Sequence, residues 1–159
     1  MSIADQFKNI EIESEIFDRP SMILVYGGSY SGKTHMIENL ILRHHKKFKK
    51  IIVCGAKNAL LTHESTSQKA EFYENDESPI YNPFIQNENT DNDCRQTLLI
   101  LDDLMAEVTT SQLASKCFSK GRHLNLSVVI ILQSFYPQGS GKSVVPMLKN
   151  NSNLQFFFR

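Results

Sequence analysis

The apolar residues of this chain fall into five short runs of strand length, each followed by polar or turn-forming residues. The runs cover residues 22–26, 51–55, 97–101, 127–132 and 154–158. Such nearly continuous apolar runs are typical of strands that are buried on both faces of a parallel sheet. Between them, apolar side chains recur at helical spacing from about Thr34, from Thr109 to Lys120 and from Ser143 to Lys149. The alternation of strands and helices predicts an α/β domain with a mostly parallel sheet.

Other stretches do not fit this pattern. Residues 1–20 form a lead-in in which apolar side chains are scattered among acids, and Phe17 is expected to pack on the sheet rather than contact a base. Residues 59–72 are mixed in character and predict some helix. Residues 73–96 are polar and acidic, and prolines there break any helix, so we expect a mobile surface insertion. The length of 159 residues predicts a single domain over residues 1–159.

The loop after the first strand fits the phosphate-binding pattern G-x-x-x-x-G-K-[ST]. Its residues are Gly27, Gly28, Ser29, Tyr30, Ser31, Gly32, Lys33 and Thr34. A strand before the loop and a helix after it are required, because backbone N–H groups of the loop and of the helix N-terminus bind the phosphates. We expect Lys33 to reach the β- and γ-phosphate oxygens of ATP and the Thr34 hydroxyl to bind Mg²⁺. Tyr30 is bulky and is expected to shape the nucleotide entrance.

A second G-K-S sequence, Gly141-Lys142-Ser143, does not fit the same pattern. The first glycine would have to be at position 136, which is Tyr136, and Pro137 and Gln138 separate the segment from the preceding strand. We interpret it as a mobile loop.

Two acids, Asp102 and Asp103, follow the third apolar run. Carboxylates in this position belong at the carboxyl edge of a parallel sheet, where ligands of such sheets bind. We expect Asp102 to hold Mg²⁺ through its water shell and Asp103 to orient or deprotonate the attacking water. The alternative is that the acids cap a following helix.

Gln133 stands at the tip of the fourth apolar run. It is a candidate for sensing the γ-phosphate or its water, and the alternative is an ordinary hydrogen-bonded strand end.

The predicted first helix ends in a basic run, residues 43–50, in which five of eight residues are Lys or Arg. This run is either a polynucleotide contact or a solvated helix end whose cations suit the helix dipole.

The amino-acid composition limits the binding partners and the cellular compartment that the sequence is compatible with. Basic and acidic residues number 17 each, so the net charge is zero and any nucleic-acid surface must be local. Three widely spaced cysteines, Cys54, Cys94 and Cys117, argue against a disulfide framework or a zinc site and favour a reducing compartment. The sequence shows no signal peptide and no apolar run of membrane-spanning length. We therefore expect a soluble intracellular protein without a membrane partner.

Four segments together resemble a known group: MILVYGGSYSGKT, TLLILDDLM, KGRHLNLSVVIILQSFYP and NNSNLQFFFR. The first is common to all P-loop proteins. Two other features are more specific to this group. Basic residues precede a strand that ends in Gln, and a late strand ends in a basic residue. Over roughly residues 17–159 the chain is similar to genome-packaging ATPases of the FtsK–HerA superfamily, especially the poxvirus-like type of large DNA viruses and Maverick/Polinton elements.

The resemblance implies a RecA-like three-layer αβα sandwich with strand order 5-1-4-3-2. It also implies a homo-oligomeric ring that moves double-stranded DNA, contacts with capsid proteins, and a place in the host nucleus or cytoplasm or in the virion. An arginine finger offered to the neighbouring subunit is implied too, and Arg122 and Arg159 are the candidates. The chain departs from the group in having Asp103 where many relatives have Glu, and in ending on the fifth strand, as a fragment or a shortened protein would.

Two other functions stay open from the sequence. A small P-loop kinase would need an Arg-rich lid, and residues 134–152 contain no arginine. A truncated domain that binds ATP without turnover would act as an interaction module.

Overall fold

A computed structural model of the chain describes residues 15–55, 67–68, 70–73, 94–102, 112–134 and 143–158. Its strands are β1 (Met22–Tyr26), β2 (Phe48–Cys54), β3 (Ala70–Tyr73), β4 (Gln96–Asp102), β5 (Leu126–Leu132) and β6 (Leu154–Phe157). They form one six-stranded sheet in the order β3-β2-β4-β5-β1-β6. All neighbouring pairs are parallel. The helices are α1 (Lys33–His44), α2 (Gln112–Lys120) and α3 (Val145–Asn151), and single 3₁₀ turns cover His45–Lys47 and Gly121–Leu124.

The sheet has one strand more than the sequence predicted. With β3 set aside, the other strands stand in the predicted order 5-1-4-3-2. The additional strand is Ala70–Tyr73, which pairs with β2 at the outer edge of the sheet and includes the end of the stretch 59–72, where some helix is expected; residues 59–66 of that stretch lie outside the described residues. Two of its four side chains, Glu71 and Phe72, are exposed, so β3 lacks the apolar run that marks the buried strands. The ion pair between Lys50 and Glu71, 3.0 Å from Nζ to Oε2, joins the two strands.

The basic run is divided between two elements rather than lying on one helix end. α1 ends at His44, the 3₁₀ turn follows, and β2 begins at Phe48, which is fully buried. Lys46 and Lys47 therefore lie on the turn, and Lys49 and Lys50 lie on the strand. Burial of the Phe48 ring decides this boundary, because it draws the chain into the sheet three residues before the apolar run at Ile51.

The two faces of the sheet are covered by different helices. On one face, Ala114, Cys117 and Phe118 of α2 and Leu148 of α3 pack against strand residues such as Met22. On the other face, Ile37, Leu40 and Ile41 of α1 pack with Ile16 and Phe17 of the lead-in against strand residues such as Ile23. Successive side chains of a strand point to opposite faces, so β1 contributes to both layers of core. The predicted three-layer αβα sandwich is confirmed.

The end of the lead-in is fixed to the amino edge of the sheet by a buried polar network. The Ser127 hydroxyl donates to Gln96 Oε1 at 2.5 Å, Gln96 Nε2 donates to the Phe17 carbonyl at 2.8 Å, and the Ser21 amide donates to Ser127 Oγ at 3.0 Å. The Phe17 ring meets Phe48 edge-on, with centroids 4.8 Å apart. Packing of Phe17 on the sheet is confirmed.

The predicted insertion over residues 73–96 falls largely outside the described residues. Its two ends do not, because Tyr73 ends β3 and Gln96 begins β4.

The three cysteines are thiols, with Cys54 and Cys117 buried and Cys94 exposed. Burial, with a smaller contribution from Cys54, raises the pKa of the Cys117 thiol to about 12, so it is a neutral core side chain. Within the described residues, no helix combines the length and the apolar character that a membrane crossing requires.

Candidate nucleotide-binding site

The parallel sheet brings the phosphate loop, Asp102 and Gln133 to one edge. Because all strands run in the same direction, β1, β4 and β5 end together at the carboxyl edge. β1 leads into the phosphate loop, β4 ends at Asp102 and β5 is followed by Gln133. β5 lies between β1 and β4, so Gln133 comes from the strand that separates the loop from Asp102.

The first glycine of the loop is required by close packing. The Gly27 amide donates to the Leu132 carbonyl at 3.2 Å, which ties the start of the loop to the end of β5. A Cβ at Gly27 would lie 2.6 Å from Phe158 Cβ and 2.8 Å from the Phe158 carbonyl oxygen. Phe158 is itself fixed by its amide, which donates to the Tyr26 carbonyl at 2.8 Å. Any side chain at position 27 would therefore push the loop away from β6.

The last glycine of the loop begins the helix. Gly32 has φ 91° and is the N-cap of α1, a left-handed conformation that glycine adopts without strain. Its carbonyl accepts the Met36 amide at 3.0 Å, and no side chain caps the described first turn of α1. The first N–H groups of the helix are thus left for an anion, as a phosphate site requires.

The Lys33 side chain lies inside the loop. Its Nζ donates to the Gly27 carbonyl at 2.7 Å and to the Gly28 carbonyl at 2.5 Å, and it lies 3.4 Å from Ser31 Oγ. The side chain is buried, with 7% of its surface exposed. The buried ammonium is held only by neutral oxygens of the loop in these contacts. A phosphate would bring opposite charge into a site of low dielectric, where the attraction between the two charges is strong.

The residues expected at the metal are suited to Mg²⁺. Asp102 is buried at the end of β4, where it pairs with Ile131 of β5, and Thr34 is half-buried in the first turn of α1. Their donors are a carboxylate and a hydroxyl oxygen, and Mg²⁺ takes oxygen ligands while keeping several waters. No cluster of three or more His, Cys, Asp or Glu side chains occurs among the residues that the structure describes. The two oxygen donors fit an ion that is shared with nucleotide phosphates.

Gln133 contacts the phosphate loop directly. The Ser29 hydroxyl donates to Gln133 Oε1 at 3.2 Å, and both side chains are exposed to solvent. Tyr30, the next residue of the loop, is fully exposed and has a positive φ of 60°, which is uncommon for a bulky residue. The exposed side of the loop therefore carries Ser29, Tyr30 and Gln133 together.

The structure does not bring Arg122 to the phosphate loop of its own chain. Arg122 lies in the 3₁₀ turn before β5, at the amino edge of the sheet, and its Nη2 donates to the Asn151 carbonyl at 3.0 Å. Seven residues of β5 separate the two edges, a distance of roughly 20 Å. Asp103, Arg159 and residues 141–142 of the second G-K-S sequence lie outside the described residues.

One residue near the site was missed by the sequence reasoning. Gly55 follows β2 and lies against the backbone of Asp102. The only sequence signal was a glycine at the end of a strand, which often marks a close backbone approach.

Comparison with known proteins identifies the group to which the chain belongs. The sequence matches the family described as Poxvirus A32 protein over residues 6–143. None of the curated proteins matches it.

Solved structures resemble this fold at low sequence identity. The genome packaging NTPase B204 from Sulfolobus turreted icosahedral virus 2, in complex with AMP, is 15% identical, with a TM-score of 0.56 over 88% of this chain and 76% of that chain. The cytoplasmic domain of EssC is 15% identical, with a TM-score of 0.54 over 90% of this chain and 31% of that chain. ATPases 2 and 3 of Thermomonospora curvata EccC are 14% identical, with a TM-score of 0.52 over 83% of this chain and 28% of that chain. At these identities the similarity shows the fold alone.

The poxvirus-like resemblance carried by the four sequence segments is confirmed by the family match. Since that match spans residues 6–143 of 159, the chain belongs to the poxvirus A32 protein family.

Proposed function

We propose that this chain is an ATP-hydrolysing motor domain that couples hydrolysis to the movement of double-stranded DNA in viral genome packaging. The observation that carries the proposal is the phosphate loop, in which buried Lys33 and the uncapped N-terminus of α1 face the same edge of the sheet as Asp102. Membership of the poxvirus A32 protein family supports the packaging role.

In the proposed mechanism, the loop amides and Lys33 bind the β- and γ-phosphates of ATP. Lys33 would exchange the Gly27 and Gly28 carbonyls for phosphate oxygens, since its Nζ lies inside the loop. Thr34 and Asp102 would hold Mg²⁺, Asp102 through the water shell of the ion, and the ion would neutralise the charge that develops on the phosphates.

Two residues act on the γ-phosphate and its attacking water in this proposal. Asp103 orients or deprotonates it, and Gln133 senses the γ-phosphate from the neighbouring strand end. The hydrogen bond between Ser29 and Gln133 supports the second role, because it joins the Gln133 side chain to the phosphate loop.

The proposal includes a ring of identical subunits with an arginine supplied in trans. Arg122 and Arg159 are both candidates. Arg122 lies at the amino edge, so as a finger it would serve the nucleotide of a neighbouring chain rather than its own. Its hydrogen bond to the Asn151 carbonyl ties it to the end of α3 in the single chain.

Double-stranded DNA is the proposed polymer, and capsid proteins are proposed partners of the ring. The lysines at 46, 47, 49 and 50 are the proposed phosphate contacts, and all lie at or near the amino edge of the sheet. Lys47 forms an ion pair with Asp18, and Lys50 pairs with Glu71. DNA phosphates would therefore compete with acids of the same chain at two of the four positions. The virus, its virion and the infected cell are the proposed setting.

Single-turnover ATP hydrolysis, measured with and without duplex DNA, tests this function. The expected result is Mg²⁺-dependent hydrolysis that duplex DNA accelerates. Lys33→Ala should neither bind nor hydrolyse ATP, because it removes the cation aimed at the β- and γ-phosphates, whereas Lys46→Ala, an exposed lysine at the other edge, should bind ATP normally. Tight ATP binding without turnover would overturn the motor in favour of a binding module, and phosphate transfer to a small acceptor would show a kinase.

A further inference from the structure

The end of β2 lies directly against the residue that is proposed to hold the metal. β2 and β4 are neighbours, and Cys54 is in register with Leu101, so the next residues along the strands are Gly55 and Asp102. Gly55 is buried, and its amide donates to the Tyr73 carbonyl of β3 at 3.1 Å. Gly55 is therefore held between the outer strand and the end of β4.

No side chain fits at position 55. A Cβ there would lie 2.3 Å from the Asp102 carbonyl oxygen, and 3.1 Å from both the carbonyl carbon and Cβ of Asp102. These are not the far end of a flexible side chain, because two are backbone atoms and the third is the root of the carboxylate itself. Gly55 also has φ +150°, a backbone conformation that L side chains rarely adopt.

A larger residue at position 55 would displace Asp102. On its other side Asp102 pairs with Ile131 of β5, in the centre of the sheet, where both faces are packed. Packed interiors transmit displacement rather than absorb it. A Cβ at position 55 would thus move the Asp102 backbone and tilt its carboxylate.

We infer that Gly55 is a positioning residue for the metal site: by lacking a side chain, it lets the end of β2 close on Asp102 and sets where that carboxylate lies. The inference rests on the proposed function, in which Asp102 holds Mg²⁺. Residues that orient a metal ligand typically change metal affinity by about 10–100-fold when they are replaced.

The test uses Gly55→Ala and a matched glycine at the opposite edge. Gly121→Ala is the control, because a Cβ at Gly121 is also crowded, 2.9 Å from Met22 Cε and 3.2 Å from the Leu126 carbonyl oxygen, but far from Asp102. Binding of Mn²⁺ as a Mg²⁺ substitute is measured by electron paramagnetic resonance, with ATPγS present. ATPγS affinity is measured separately in EDTA, and the thermal midpoint of each variant is recorded.

Gly55→Ala should weaken Mn²⁺ binding by about tenfold or more while leaving ATPγS affinity in EDTA within about twofold of the original chain. Gly121→Ala should lower the thermal midpoint without changing Mn²⁺ affinity. Equal Mn²⁺ affinity in Gly55→Ala and the original chain overturns the inference but leaves the proposed function standing. Failure of the original chain to bind Mn²⁺ with ATPγS overturns both.

A second measurement applies if Gly55→Ala does not fold. In the original chain, Mg²⁺ added to the ATPγS complex should shift the amide resonance of Gly55, because Asp102 and Gly55 are in direct backbone contact. The Gly121 amide should not shift. An unmoved Gly55 resonance would overturn the inference without any variant.

Discussion

The Ser29 hydroxyl donates a hydrogen bond to Gln133 Oε1 at 3.2 Å, joining the phosphate loop to the tip of the strand beside it. These residues are separated by 104 positions in sequence. The Gln133 side chain also carries an NH₂ group, and an amide donor at this place suits a γ-phosphate oxygen or the attacking water.

Gln133→Ala should slow ATP hydrolysis while leaving ATP affinity close to that of the original chain. The expected loss is about 10²-fold, the usual cost of removing one donor that acts in the transition state. Ser29→Ala is the control, because it removes the hydrogen bond but retains the Gln133 amide, and it should cost much less. Single-turnover rates at saturating ATP measure both. Equal rates in Gln133→Ala and the original chain would leave Gln133 as an ordinary strand end.

Asp103→Asn should preserve binding of Mg·ATP and slow hydrolysis by roughly 10²-fold or more, since loss of a general base is typically that large. Asp102→Asn should instead raise the Mg²⁺ concentration needed for half-maximal rate, because a neutral amide replaces the charged carboxylate next to the metal. Rates measured across a Mg²⁺ titration separate the two effects. Unchanged turnover in Asp103→Asn would mean that this acid is a helix cap and that another group positions the water.

Changing Lys46, Lys47, Lys49 and Lys50 together to Gln should flatten the salt dependence of duplex DNA binding. Each phosphate contact contributes a slope of about 0.9 in a plot of log affinity against log salt, so up to about 3–4 units should be lost. Binding titrations at several salt concentrations measure the slope. Replacement of Lys116 and Lys120, exposed on α2, is the control and should leave it unchanged. If the fourfold variant keeps the original slope, the basic run is a solvated surface.

Hydrolysis per subunit should rise with protein concentration, because the proposed active site is completed by an arginine from the next subunit. Such an arginine is worth about 10³–10⁵ in rate. Mixing a Lys33→Ala chain with an Arg122→Ala or an Arg159→Ala chain should restore some activity, since one intact site can form between them. Rescue by only one of the two arginine variants identifies the finger. A monomer with flat specific activity at every concentration would contradict the ring.

Much of the fold was accessible from local patterns. Five apolar runs marked five of the six described strands, and the four inner ones are buried on both faces, which requires apolar side chains at nearly every position. The strand order came from the family resemblance and not from spacing. The edge strand Ala70–Tyr73 was missed, because it is defined by its pairing with β2 and its contact with Lys50, which the local sequence does not show.

The sequence by itself determined the phosphate loop, since the glycines, Lys33 and the helix start lie within a few residues of one another and their geometry is largely local. It also placed Asp102 at a strand end. Only the tertiary structure decided that Gln133 contacts Ser29 and that Gly55 lies against Asp102. It also decided that Arg122 lies at the amino edge and that the basic run is divided between a turn and β2. Those relationships join residues far apart in the chain, and they depend on which strands pair and in what register. The free energy of that pairing is shared over the whole sheet, so no single stretch of sequence encodes it.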